Sequence, residues 1–316
     1  MAFSKISLIG SGQIGGTLAL LAARQNIKDV VLFDVIQGTA KGKALDLNQM
    51  SSLLSSDCNF IGTDKYIDIK DSDVCIVTAG FPRIPGMSRD DLLKKNLEVI
   101  KDVSFGIKTY APNAFVIIVT NPLDVMVYAF FKLSNFNKNK VVGMAGVLDS
   151  ARFCNLLSSE LNVSRKDINA LVLGGHGDEM VPLVNFSNVA GIPLSKLVQM
   201  GILKQQKLNE IIKKTRYGGS EIVKFLGTGS AFYAPAFSAM EIANSYLYNE
   251  KRLLPCASML EGEYGVNGLF IGVPIIIGHN GVEKILELEL SSKEKSNFKS
   301  SVLSVQKIVN KLDMLI

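Results

Sequence analysis

The segment Gly10-Ser11-Gly12-Gln13-Ile14-Gly15 follows directly on the apolar run Ile6-Ser7-Leu8-Ile9 and leads into the helix-like Thr17-Leu18-Ala19-Leu20-Leu21-Ala22-Ala23-Arg24. A strand, a turn with this glycine spacing and then a helix form the context of a dinucleotide fingerprint. Gly10 lets the chain turn off the strand, Gly12 lets the backbone approach a pyrophosphate, and Gly15 lets the helix pack close to the sheet. The helix start, with Ser11, Gln13 and Ile14 beside the glycines, offers free N–H groups and the positive end of its dipole to phosphate oxygens. Ordinary glycine-rich turns share the spacing, so the next strand matters. Val30-Val31-Leu32-Phe33 ends in Asp34. A carboxylate there accepts hydrogen bonds from ribose hydroxyls and repels a 2′-phosphate, which favours NAD over NADP. The plainer alternative is a turn residue.

Further apolar runs at 59–61, 73–78, 115–120 and 141–144 alternate with helical patterns over 38–54 and about 90–109. Such alternation predicts an α/β fold, a Rossmann-type doubly wound parallel sheet, over a dinucleotide-binding domain at 1–145. The texture then changes, from Asp149 onward. Strand pairs are expected at 168–173 with 181–186 and at 254–259 with 268–277, and a last helix at 293–312. Residues 146–316 therefore read as an α+β substrate domain. No low-complexity linker separates the halves, so they should pack tightly.

Ligands of open α/β sheets bind outside the carboxyl ends of the strands. Val119, Thr120 and Asn121 end one strand and should face the site, with the Asn121 amide fixed by Pro122. The loop 81–89 holds two prolines and a glycine, so it is no helix. Its Arg83 and Arg89 suggest a lid that brings positive charge onto an anion, although solvated loop arginines would look the same. Asn96, in the helix beyond, is placed with the cofactor.

The chain has only two histidines. His279 reads as structural. His176, in Leu173-Gly174-Gly175-His176-Gly177-Asp178, sits among glycines that leave it accessible. Its candidate partners are Asp149 and Arg152, three apart in Leu148-Asp149-Ser150-Ala151-Arg152 and so on one helix face. Without His176 these would be an ordinary surface ion pair.

Basic residues are scattered and the net charge is only +5, which argues against nucleic acid. A mild positive field would still draw in an anionic substrate. The four cysteines are far apart, show no C-x-x-C spacing, and read as small buried hydrophobes in a reducing compartment. The start resembles no signal peptide, and the apolar stretch 269–278 is too short and too broken by Gly272 and Pro274 to cross a bilayer. The expectation is a cytoplasmic protein with no membrane partner.

Together the glycine loop, Asp34, the arginine-bearing loop, Val119-Thr120-Asn121-Pro122, Leu148-Asp149-Ser150-Ala151-Arg152 and Gly174-Gly175-His176-Gly177-Asp178 resemble the lactate/malate dehydrogenase family, in order over the whole chain. The resemblance implies hydride exchange between NAD and a small 2-hydroxy acid, with no metal. It makes His176 the general acid/base and Asp149 the group that fixes its tautomer. It gives Arg152 the substrate 1-carboxylate, Asn121 a hydrogen bond to the substrate, and Arg89 the polarised carbonyl oxygen. In the family, the Arg83 position separates lactate from malate specificity. A second carboxylate in a water-poor site needs a cation there, and a monocarboxylate would leave Arg83 alone. Malate and oxaloacetate, of the tricarboxylic acid cycle, are thus favoured over lactate and pyruvate. The loop start resembles the lactate-dehydrogenase-like malate dehydrogenases, which implies a homotetramer or homodimer. In Gly227-Thr228-Gly229-Ser230-Ala231, which is similar to that subgroup's pocket segment, Ser230 is a candidate wall residue. The competing readings are a lactate or broad-specificity 2-hydroxyacid dehydrogenase and a non-catalytic dinucleotide-binding protein.

Overall fold

Short strands made almost wholly of Val, Ile, Leu and Phe have no face suited to water, so they need cover on both sides. The computed structural model describes residues 4–25, 27–82, 88–227 and 229–316, and it covers the central strands in that way, leaving Asn59 and Ile61 of the edge strand at 59–63 exposed. The strands β1 (Lys5–Ile9), β2 (Asp29–Phe33), β3 (Asn59–Thr63), β4 (Val74–Val77), β5 (Phe115–Ile118) and β6 (Val141–Gly143) run parallel in the order β3-β2-β1-β4-β5-β6. Between them run α1 (Gln13–Arg24), α2 (Thr39–Leu54), α3 (Arg89–Tyr110) and α4 (Leu123–Ser134). All of β4 and β5 is buried. The start of α3 is set by Ser88, whose hydroxyl accepts from the Asp91 N–H while the Asp91 carboxylate accepts from the Ser88 N–H. The strand order reverses between β1 and β4, and their carboxyl ends part there to leave a crevice.

The second half contributes α5 (Ala145–Leu161), β7 (Ile168–Asn169), β8 (Val172–Leu173), β9 (Val181–Pro182), β10 (Asn188–Val189), β11 (Ile192–Pro193), α6 (Leu194–Gln199), α7 (Gln205–Leu226), α8 (Tyr233–Leu247), β12 (Arg252–Glu261), β13 (Asn267–Gly278), β14 (Gly281–Ile285) and α9 (Ser292–Asp313). Its long strands build no sheet of their own. Ala257 of β12 pairs antiparallel with Gly143 of β6, and β13 and β14 follow, so one sheet of nine strands crosses the molecule. Helix α8 lies back over the parallel half, where the Tyr246 ring stacks on Phe115 with centroids 4.6 Å apart.

Three expectations need correction. The run 168–173 is not one strand: β7 pairs with β10 and β8 with β9. The Leu171 N–H donates to the Ser187 hydroxyl and the Val172 N–H to the Ser150 hydroxyl, so side chains take the donors a continuous ladder would use. The strand expected at 181–186 shrinks to β9, because Ser187 turns back to bond the Leu183 carbonyl. Cys58, Cys75 and Cys256 are buried, but Cys154 is only half-buried, with its sulfur against the carbonyls of Arg165 and Ile168. The apolar stretch 269–278 is part of β13, and no helix among the described residues is long and apolar enough to cross a membrane.

Candidate active site

The glycine loop lies at the crevice between β1 and β4. Gly10 has φ +107°, and a Cβ there would stand 2.6 Å from the Ala79 nitrogen, while one on Gly15 would meet the Gly10 carbonyl at 2.1 Å. Both positions exclude any side chain. A Cβ on Gly12 would meet nothing within 4 Å, so the outer face of the loop is open where a phosphate would approach. Among the described residues, no side chain caps the start of α1. Its first N–H groups are the kind of donors an anion satisfies. Asp34 is half-buried at the end of β2, its Oδ2 accepting from the Ser11 N–H at 2.8 Å and its Oδ1 from the Ile36 N–H at 3.0 Å. Lys43 of α2 donates from Nζ to the carbonyls of Ser11 and Gly12 at 2.6 and 2.9 Å. An open phosphate loop with a carboxylate at its far side is what a dinucleotide without a 2′-phosphate requires.

Asn96 lies on α3 behind the loop that follows β4. It is fully buried, with Oδ1 accepting from the Phe81 N–H at 2.7 Å and Nδ2 donating to the carbonyls of Asn121 and Phe81. It ties Phe81, at the start of that loop, to Asn121. Thr120 is also buried, its hydroxyl donating to the Ala79 carbonyl at 2.6 Å. Arg83 and the side chain of Arg89 lie outside the described residues.

The remaining candidates converge. A cavity of about 290 Å³ is lined by Ile14, Val119 and Asn121 from the first half and by Arg152, His176 and Ser230 from the second. Hollows of about 620 and 860 Å³ lie elsewhere, but neither is lined by a histidine. The His176 Nδ1 is 2.8 Å from Oδ2 of Asp149, which is 2% exposed, and the Arg152 Nη1 donates to the other oxygen at 3.2 Å. Burial by itself would lower the imidazole pKa; the charge and hydrogen bond of Asp149 outweigh it and hold His176 above its ordinary value. With Nδ1 facing a carboxylate, the neutral ring carries its proton there and leaves Nε2 as an acceptor. The glycines around His176 do more than leave it accessible. A Cβ on Gly174 would stand 2.7 Å from the Ser301 hydroxyl and one on Gly175 would stand 2.6 Å from Val305, so they let the loop press against α9. His279 lies in the exposed turn between β13 and β14, its N–H bonded to Asn249.

Residues 4–143 match the family model of the lactate/malate dehydrogenase NAD binding domain, and residues 146–314 match that of the lactate/malate dehydrogenase alpha/beta C-terminal domain. The chain belongs to the lactate/malate dehydrogenase family. It is 57% identical to a malate dehydrogenase of Methylobacterium radiotolerans over 98% of this chain and 97% of that one. Among solved structures of the family, it is similar to malate dehydrogenase from Cryptosporidium parvum, with a TM-score of 0.96, 50% identity and coverage of 98% and 99% of the two chains. It is also similar to the lactate dehydrogenase from the same organism complexed with lactic acid and nicotinamide adenine dinucleotide, with a TM-score of 0.96, 45% identity and 99% of each chain covered.

In this family member the sequence reading missed four residues that border the site. Lys43 braces the glycine loop, and Asp124 accepts a hydrogen bond from the His176 N–H. Arg216 lines the cavity and donates from Nε to the Met180 carbonyl at 3.0 Å. Gly219 of α7 makes room for Arg152: a Cβ there would lie 3.3 Å from its Nη2. Gly218-Gly219 inside a helical pattern was the legible signal, since paired glycines weaken a helix and call for a packing reason.

Proposed function

We propose that this chain is an NAD-dependent malate dehydrogenase that interconverts (S)-malate and oxaloacetate. The observation that carries the proposal is the row His176, Asp149, Arg152, built on a buried Asp149, beside a cavity whose other wall comes from the dinucleotide crevice. His176 Nε2 takes the hydroxyl proton of malate and returns it to oxaloacetate. Asp149 keeps the ring turned and stabilises the imidazolium. Arg152 uses one amine on Asp149 and offers its remaining donors to the 1-carboxylate, while the Asn121 amide hydrogen-bonds the substrate and Ser230 forms part of the wall. Gly10, Ser11, Gly12, Gln13, Ile14 and Gly15 would hold the pyrophosphate of NAD, Asp34 its ribose, and Asn96, Val119, Thr120 and Asn121 the nicotinamide side. When bound, NAD supplies the acceptor for the hydride that leaves the malate carbon.

Substrate choice rests on Arg83, with Arg89 polarising the carbonyl. The likeness to both lactate and malate dehydrogenases leaves the choice between one carboxylate and two to that cation. The relatives named malate dehydrogenase support the diacid. The test is a steady-state assay of NADH or NADPH against oxaloacetate or pyruvate. Rapid turnover confined to NADH with oxaloacetate is expected. Preference for pyruvate would make the protein a lactate dehydrogenase, and NADH binding without turnover would make it a non-catalytic binder.

We also read residues 1–145 as the dinucleotide-binding unit and 146–316 as the substrate unit. Exposed Phe225, Tyr233 and Phe237 around the start of α8 support a homotetramer or homodimer, which sedimentation equilibrium would resolve. The four free cysteines support a reducing cytoplasm.

A further inference from the structure

Lys43, in the first half of α2, is half-buried and carries its ammonium to two backbone carbonyls, that of Ser11 at 2.6 Å and that of Gly12 at 2.9 Å. It has no carboxylate partner among the described residues, although Asp34 accepts from the N–H of the same Ser11. A lysine on a helix surface is free to keep its charge in water, so this placement calls for a reason. Stability of the unliganded fold does not supply one. Gly12 is the N-cap of α1 and its carbonyl also accepts from the Gly16 N–H at 3.0 Å, so the ammonium stands at the positive end of that helix's dipole. A cation at a helix N-terminus meets a pole of its own sign and weakens the helix. The arrangement is balanced only when an anion comes to the same end.

Peptide geometry says how the loop would receive that anion. In a planar trans peptide the C=O and N–H point opposite ways. Holding the carbonyls of Ser11 and Gly12 from one side therefore turns the N–H groups of Gly12 and Gln13 to the opposite side of the loop. The ammonium also draws charge from both carbonyls, which makes those N–H groups stronger donors. Gly16, one residue beyond the fingerprint, belongs to the same device. A Cβ there would lie 3.5 Å from the Lys43 Nζ and 3.9 Å from its Cδ. Those are ordinary contacts, so alanine would fit, but a branched side chain would take the ammonium's place.

We propose that Lys43 is a positioning residue for the dinucleotide pyrophosphate: it locks two peptides of the loop so that their N–H groups face the phosphates, and its charge offsets theirs from behind. The inference rests on the placement of the pyrophosphate at Gly10 to Gly15 given above. It assigns to Lys43 a contribution that appears only when the dinucleotide is bound.

Lys43→Met keeps the apolar stem and removes the charge and the donors. The Kd of NADH, read from its fluorescence, and that of ADP-ribose, read by displacement of NADH, should each rise about tenfold, while adenosine, which carries no phosphate, changes by less than about twofold. The unliganded Tm should hold or rise, and the gain in Tm on adding NADH should shrink. In oxaloacetate reduction the KM for NADH should rise without a fall in kcat. Lys43→Arg, which keeps the charge and can donate to both carbonyls, should recover most of the affinity. Unchanged ADP-ribose binding in Lys43→Met overturns the proposal. An equal loss for adenosine also overturns it, since the loop would then have lost its shape and Lys43 would serve folding. If Lys43→Met does not fold, Gly16→Val decides: its branches displace the ammonium, so ADP-ribose should weaken to a similar degree with adenosine unaffected, and unaltered ADP-ribose binding overturns the proposal. A wild type that holds ADP-ribose no more tightly than adenosine would instead show that the loop does not carry the pyrophosphate, and that placement would fall first, taking this inference with it.

Discussion

The Nδ1 of His176 and the Oδ2 of Asp149 stand 2.8 Å apart, and the second oxygen of the same carboxylate holds Arg152. One buried anion therefore orients both the imidazole and the guanidinium assigned above to proton transfer and substrate binding. Asp149→Asn should lower kcat by about 10³ to 10⁴-fold, as losing the orienting carboxylate of a catalytic triad does, while NADH binding stays intact. NADH fluorescence titration beside steady-state kinetics checks this. Loss of NADH affinity in parallel with kcat would assign Asp149 to folding alone.

The pH dependence should differ with direction. Oxaloacetate reduction needs the imidazolium, so its kcat/KM should fall as pH rises through the His176 pKa, which is held above the ordinary value. Malate oxidation needs the neutral ring and should rise over the same interval. Profiles of the same sign in both directions would remove His176 from the proton transfer.

Gly219→Ala adds a methyl 3.3 Å from the Arg152 Nη2 and places a better helix former inside α7. The helix should gain about 0.5–1 kcal/mol. The displaced guanidinium should raise KM for oxaloacetate several-fold while Tm holds or rises. An unchanged KM would mean that Arg152 has slack in its groove.

Asp34→Ser removes the charge proposed to face the ribose, together with the carboxylate that accepts the Ser11 N–H. The ratio of kcat/KM for NADPH over NADH should rise by roughly tenfold, about 1.4 kcal/mol. If the ratio does not move, Asp34 only braces the loop.

Arg83→Gln should cost oxaloacetate about 2–4 kcal/mol of transition-state stabilisation, while pyruvate loses far less or improves. Equal losses on both substrates would refute the specificity assigned to this residue.

The parallel half was legible because buried strands and glycine turns obey local rules: β2, β4 and β5 fall within a residue or two of their apolar runs. Asp149, Arg152 and His176 were legible as motifs, but their distances depend on α5 packing beside β8, which no local pattern states. Asp124 and Lys43 escaped notice because each acts on backbone groups far along the chain, and backbone carries no sequence signature. The short strands of the second half misled because hydroxyls of Ser150 and Ser187 replace ladder partners. Asn96 was legible as a polar residue near the site, but its bonds to the backbone of Phe81 and Asn121 depend on how α3 packs beside the carboxyl ends of β4 and β5.

The pairing of Gly143 with Ala257 stitches the two halves into one continuous sheet. Swinging one half on the other would tear that seam and slide Tyr246 off Phe115. The spacing between the carboxyl end of β5 and the His176 imidazole is therefore a built-in dimension of the scaffold, set before any ligand arrives.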